Sequence, residues 1–200
     1  MKKIEVEVYS YEELSPKIQE KVLERYREWE TQDSYWYEFI LEDWKEKLEK
    51  IGFIDAKIYF SGFWSQGDGA FFEAKCDSIT LINHLFYCNS LHGFNYLRLK
   101  KMLIFAENDL LDFGIYRYNR HYNHEKSGVI TLNFNGHDMG KLDESLKRIE
   151  LEIEDLRKSL CIEIYHDLQT EYEYITSNEY LLERYLSDTE LFFYANGRGA

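Results

Sequence analysis

The sequence predicts an α+β fold: an antiparallel β-sheet with helices packed on one face and a long C-terminal helix. Three observations predict it. Two pairs of strand-like runs, AKIYFSGF with AFFEAKC and FGIYRYNRHY with GVITLNF, are each joined by a segment rich in turn-forming residues. Apolar residues at helical spacing precede the first pair and separate it from the second. Near the C-terminus, Leu142, Leu146, Ile149, Ile153, Leu156 and Leu160 step by 4, 3, 4, 3 and 4, and no glycine or proline occurs between Lys141 and Asn196.

Taken in order, Ile4, Val6 and Val8 alternate with Lys3, Glu5 and Glu7, the pattern of a half-buried strand. Ser15 and Pro16 then supply an N-cap and a first-turn proline. Ile18, Val22, Tyr26 and Trp29 follow on one helical face. Ser34 is placed to cap a second helix with Trp36, Ile40, Trp44, Leu48 and Ile51 as its stripe, and Gly52 to end it. After the first strand pair, Ser78 is placed to cap a helix through Phe86. Gly93 interrupts, and another apolar helix runs from Phe94 to Phe105. The second strand pair spans 113–122 and 128–134. One helix then covers about 140–175, followed by a short one from Ser177, and TELFFYA reads as a final strand. With one proline and no Ser/Gly/Pro-rich linker, residues 1–200 read as a single domain. The heptad rhythm covers under three repeats, so the long helix packs on its own sheet or makes a homodimer seam with a copy of itself.

Composition narrows the functional classes. No run approaches the roughly 18 apolar residues of a membrane helix, and charges at every second N-terminal position do not suit a signal peptide. Cys76, Cys88 and Cys161 are odd in number and lack a C-x-x-C pair, which points to free thiols. These features predict a cytoplasmic protein that does not engage a membrane. The net charge of −13 is uneven: residues 1–60 carry 15 acids against 10 bases, residues 141–190 carry 14 against 6, and residues 61–140 carry 8 against 7. The acidic helices are either solvated faces or a surface that attracts a basic partner.

Two stretches carry candidate site residues. FSGFWSQGDGAFF (60–72) sets Gly67-Asp68-Gly69 between apolar runs, first of all a hairpin turn. As a binding loop it offers Trp64, Ser65, Gln66 and Asp68. A phosphate loop requires a lysine at the head of a helix, whereas here a strand follows, and Asp68 repels anions. In FGIYRYNRHY, Arg117, Asn119 and His121 share one strand face, while Tyr116, Tyr118, Arg120 and Tyr122 share the other. Arginine interleaved with aromatics stacks bases and pairs with phosphates, making Arg117, Tyr118, Arg120 and His121 candidates for nucleic acid or a nucleotide. The same faces equally suit packing beneath acidic helices. His121, His124, Glu125, His137 and Asp138 match no metal-binding motif, so neither a metal nor another cofactor is expected, and no catalytic set stands out.

YSYEELSPKIQEKVLERYRE, YWYEFILEDW and IYFSGFWSQGDGAFF together resemble a family of uncharacterised proteins encoded by phages and prophages. The resemblance covers about the first 75 residues and carries over no catalytic residues. It implies a phage origin and, for a small acidic aromatic-rich chain, a counter-defence role such as that of anti-CRISPR proteins. The expectation is a stoichiometric inhibitor of a host nuclease or CRISPR effector, bound to that host defence protein's basic nucleic-acid-binding surface in the bacterial cytoplasm. The alternative is a nucleic-acid- or nucleotide-binding accessory protein using strand 113–122 and loop 64–69.

Overall fold

Ser15 and Pro16 begin helix α1 (Pro16–Gln32) where the sequence places them. The carbonyl of Ser15 accepts bonds from the Ile18 and Gln19 amides, while its side chain makes no capping bond. The computed structural model describes residues 5–88, 91, 96–135, 139–187 and 191–200. The readings at Lys3, Ile4, Gly93, Phe94, His137, Asp138, Thr189 and Glu190, and the side chain of Leu142, lie outside the described residues. By internal contacts the chain divides into two compact units, Met1–Phe39 with Leu168–Ala200, and Ile40–Asp167.

In the first unit, α1 buries Val22 completely and packs it with Leu14 and Phe193; Tyr9, Ile18 and Tyr26 close the cluster. The C-terminal segment folds back onto this helix. Arg25 donates to the Gly197 carbonyl at 3.0 Å. Gly197 has φ +81°, and a Cβ there would lie 2.9 Å from Ile18 Cγ2, so glycine both makes the turn and admits the close approach. Among the described residues, neither terminal run forms a strand. Val6 and Val8 are exposed, and pairing is limited to the isolated bridges Tyr9–Phe193 and Phe193–Gly199. Alternation without a neighbouring ladder is too little to hold a strand.

The second unit holds the sheet. Helix α2 (Tyr35–Ile51) buries Ile40, Trp44 and Leu48 from the predicted stripe. It ends at Gly52, whose φ of +112° lets its amide turn back to the Leu48 and Glu49 carbonyls. Strands β1 (Phe53–Phe60) and β2 (Ala70–Cys76) form the predicted antiparallel hairpin. Helix α3 (Ser78–Tyr87) is capped by Asp77 rather than Ser78: the Asp77 carboxylate accepts from the Ile79 and Thr80 amides, and Ser78 is the first helical residue. An aspartate one position earlier reaches the same orphan amides with a charge-assisted bond. Helix α4 (Tyr96–Glu107) packs with α3 and on strand β3 (Leu111–Arg117), which pairs with β4 (Gly128–Phe134).

All pairings are antiparallel, in the order β1-β2-β3-β4. Leu111, Phe113 and Ile130 are buried beneath the helices, whereas Asp112, Tyr116, Thr131 and Asn133 face outward. The fold is therefore α+β, as the sequence predicts. Helix α5 (Met139–Ile175) is the long C-terminal helix, and its Leu146, Ile149, Ile153, Leu160 and Ile164 are all buried within the single chain. The following helix, α6 (Asn178–Leu181), starts at Ser177, whose hydroxyl accepts from the Tyr180 amide.

β3 stops at Arg117, five residues before the run read as strand ends. Asn119 is the reason. Its side-chain oxygen accepts from the His121 amide at 2.9 Å, and the Tyr118 and Asn119 amides both donate to the Ser127 carbonyl. An asparagine bonding its own backbone two residues on turns the chain, and this local bond displaces the ladder that tyrosine-rich composition favours.

Candidate functional site

Two loops meet at one end of the sheet: residues 61–69 between β1 and β2, and residues 118–127 between β3 and β4. The first loop is a closed turn. The Asp68 carboxylate accepts from the Ser65 amide at 2.7 Å, and the Asp68 amide donates to the Ser65 carbonyl. Trp64 has φ +69° and Gly67 φ +91°, so the loop holds a tryptophan in a conformation that bulky side chains seldom adopt. From α5, Tyr165 lays its ring 5.5 Å from Phe63, which in turn contacts Trp64 at 5.7 Å. Burial pushes the Tyr165 phenol up, and the charge of Asp68 adds to the shift.

The glycines of this loop receive the other loop. A Cβ on Gly67 would lie 2.7 Å from the Tyr122 ring, and one on Gly69 would lie 2.5 Å from His124 Cβ. Their role is therefore close packing, and no cradle for phosphate is needed to explain them. Asn123 donates to the Phe60 carbonyl at 3.1 Å, tying the loops directly. The second loop is also knotted internally, because buried Ser127 donates through its hydroxyl to the Tyr122 carbonyl and accepts from the His124 amide.

The sequence-predicted residues divide by environment. Trp64 (66 % exposed), Ser65, Gln66, Tyr118 (60 % exposed), Arg120 and His121 stand outward on the two loops, together with Tyr122. Asp68 is half-buried and committed to the Ser65 amide. Arg117 is turned into the fold, donating to the Asn119 carbonyl and Asn123 Oδ1 and lying 3.9 Å from Glu73. Its guanidinium also sits 4.6 Å from the Tyr59 ring centroid, a cation–π contact. Arg117 thus shapes the loop while Arg120 faces solvent. His121 and His124 are brought near each other through Tyr122, and among the described residues no group of three potential ligands is placed to hold a metal ion. No described helix is long and apolar enough to cross a membrane.

Sequence reasoning missed the support beneath the second loop. Arg157 on α5 is fully buried; it donates to the carbonyls of Glu125 at 2.7 Å and Gly128 at 3.0 Å, and doubly to the Glu154 carboxylate. Glu154 also accepts from the Ile130 amide at 2.9 Å, and Glu150 accepts from the Leu132 amide at 3.0 Å. One signal was available: charged residues at 150, 154 and 157 fall in register with the buried stripe. Nearby, burial pushes the Cys161 thiol up to about 11.

Burial alone would push the Glu154 carboxyl up, but bonds from Arg157 and the Ile130 amide outweigh it and hold the carboxyl below the ordinary glutamate range. A carboxyl depressed in the folded state stabilises the protein above its unfolded pKa, and that contribution is lost as pH falls through the folded value. The stability advantage of the native protein over Glu154→Gln is therefore expected to be full at neutral pH and to shrink below about pH 4.3. Melting temperatures of the two proteins across pH 7 to 3 check this; parallel curves would contradict it.

The fold and the paired loops define an α+β protein that displays aromatic and basic side chains on a braced end of its sheet. Residues 36–178 match the family described as Domain of unknown function (DUF8835), and the chain belongs to that family. No curated protein and no solved structure matches it.

Proposed function

We propose that this chain is a binding protein that inhibits its target stoichiometrically, with the paired loops as its recognition surface. The observation that carries the reading is Trp64: two-thirds exposed, held at positive φ, and braced by Phe63 and the Asp68–Ser65 bond. A large ring presented in one fixed conformation loses little entropy on docking, and tryptophan, tyrosine and arginine dominate the energetics of protein interfaces. Tyr118, Arg120 and Tyr122 surround it with the same chemistry. The net charge of −13, concentrated in residues 1–60 and 141–190 rather than in the loops, favours long-range attraction to a basic target, and the resemblance to phage-encoded proteins suggests a host defence nuclease or CRISPR effector as that target. Binding of nucleic acid is the second reading, favoured by the exposed Tyr118, Arg120, His121 and Tyr122 on one loop.

The test is affinity capture from bacterial lysate on the immobilised protein, eluted along a salt gradient, beside a Trp64→Ala variant. A single basic protein captured by the native chain, weakened by salt and by about 2 kcal/mol in the variant, supports inhibition by protein binding. Recovery of RNA or DNA instead supports the second reading. Capture that is indifferent to both salt and Trp64 overturns this assignment of the surface.

A further inference from the structure

The unit formed by residues 1–39 and 168–200 contains a recess of about 490 Å³, remote in sequence from the paired loops. Its lining is rich in aromatic rings: Trp29, Tyr35, Trp36, Tyr180 and Tyr185. Trp29 and Tyr185 stack at 5.9 Å, Tyr185 stacks on Tyr26 at 4.8 Å, and Trp36 meets Tyr172 edge-on at 5.6 Å, so these rings hold one another in place. Three carboxylates, Glu30, Asp33 and Glu171, line the same recess against one cation, Arg184.

The charges are unevenly matched. Arg184 lies 3.2 Å from Glu30, and its guanidinium is 5.5 Å from the ring centroids of both Tyr180 and Tyr185. Tyr185 donates its hydroxyl to Glu30 as well. The chain thus already seats one cation of its own on these rings, using the π-helical turn Leu182–Leu186 that carries Arg184 and Tyr185. Such turns are rare and recur at functional sites. Glu171 has no counterpart: no ion pair or hydrogen bond to its side chain occurs among the described residues, and burial pushes its carboxyl up.

Aromatic faces carry negative potential, and rings converging on a recess with surplus carboxylate favour a cation that sheds water readily. A bare metal ion is too strongly hydrated to suit ring faces, and an anion meets three acids. We propose that this recess is a binding site for an organic cation, an alkylated ammonium head, seated on Trp29 and Trp36 with Glu171 balancing its charge. The head arrives either as a free small molecule or on a methylated lysine side chain; both present the same chemistry.

The test is calorimetric titration of the full chain with choline, with its neutral isostere 3,3-dimethylbutan-1-ol, and with a short peptide carrying trimethyllysine beside its unmethylated counterpart. Binding of choline or of the trimethyllysine peptide, at least about tenfold tighter than the matched neutral or unmethylated probe, is expected. Choline binding assigns a free ligand; binding by the peptide alone assigns a side-chain-borne one. Glu171→Gln is expected to weaken the successful probe about tenfold with an unchanged circular dichroism spectrum. Equal affinity for the neutral isostere, affinity unaltered by Glu171→Gln, or no binding of either cation would overturn the proposal. Capture of a protein through Trp64 would neither require nor disturb this result, because the two sites share no residue.

Discussion

Replacing Arg157 by alanine is expected to lower the stability of the protein by about 3–5 kcal/mol. The guanidinium is fully buried, and its removal leaves the Glu125 and Gly128 carbonyls and the Glu154 carboxylate without their shared donor. The Glu154 carboxylate keeps the Ile130 amide and Lys158 at 3.4 Å, but it loses both guanidinium bonds, and together with the two orphaned carbonyls this makes the loss large. Arg157→Met with Glu154→Leu removes both charges, yet it orphans the Ile130 amide that Glu154 satisfies, so it recovers only part of the deficit. Urea titrations of the native protein and both variants measure the difference as a shift of midpoint at constant slope. A loss below about 1 kcal/mol for Arg157→Ala would mean that desolvation of the guanidinium cancels its bonds.

The second large effect concerns Gly69. An added methyl would lie 2.5 Å from His124 Cβ and 2.7 Å from its Cα, and backbone cannot swing aside as a flexible side chain would. Gly69→Ala is expected to cost about 1–3 kcal/mol through overpacking and to separate the two loops. Hydrogen exchange should report the disturbance of the first loop at the Ser61 amide, which donates to the Gly69 carbonyl at 3.1 Å. Gly199→Ala is the control, since nothing lies within 4 Å of its would-be Cβ. If both variants melt alike, the close approach of the loops carries no energy.

Much of the fold is legible in the sequence because it rests on local rules. The stripe from Leu146 to Ile164, the Gly52 terminus, the β1–β2 hairpin and the Ser177 cap each follow from spacing or from one residue's backbone preference. Sequence and structure part where local signals compete. Asp77 and Ser78 are adjacent capping residues, and only geometry chooses between them. Tyrosine-rich residues 118–122 have high strand propensity, yet Asn119 and Ser127 fold them into a loop. In the sequence the candidate surface lies in two separate pieces, 60–72 and 113–122. Their union depends on Gly67 and Gly69 meeting Tyr122 and His124, over fifty positions away, and no pattern within either stretch encodes it. Arg157 escaped notice because a charge on a helix is ordinarily solvated.

The carboxylates of Glu150 and Glu154 have a consequence for assembly. β4 is the last strand of the sheet, and the Ile130 and Leu132 amides that would template a further strand are already taken by them. An extended peptide cannot add itself along this edge while α5 holds these amides, nor can a second copy of the sheet. The body of the helix shields them as well, since Ile130 and Glu154 are both buried. Growth of the sheet through this edge therefore requires α5 to come away first, and the long helix acts as a guard against edge-to-edge association.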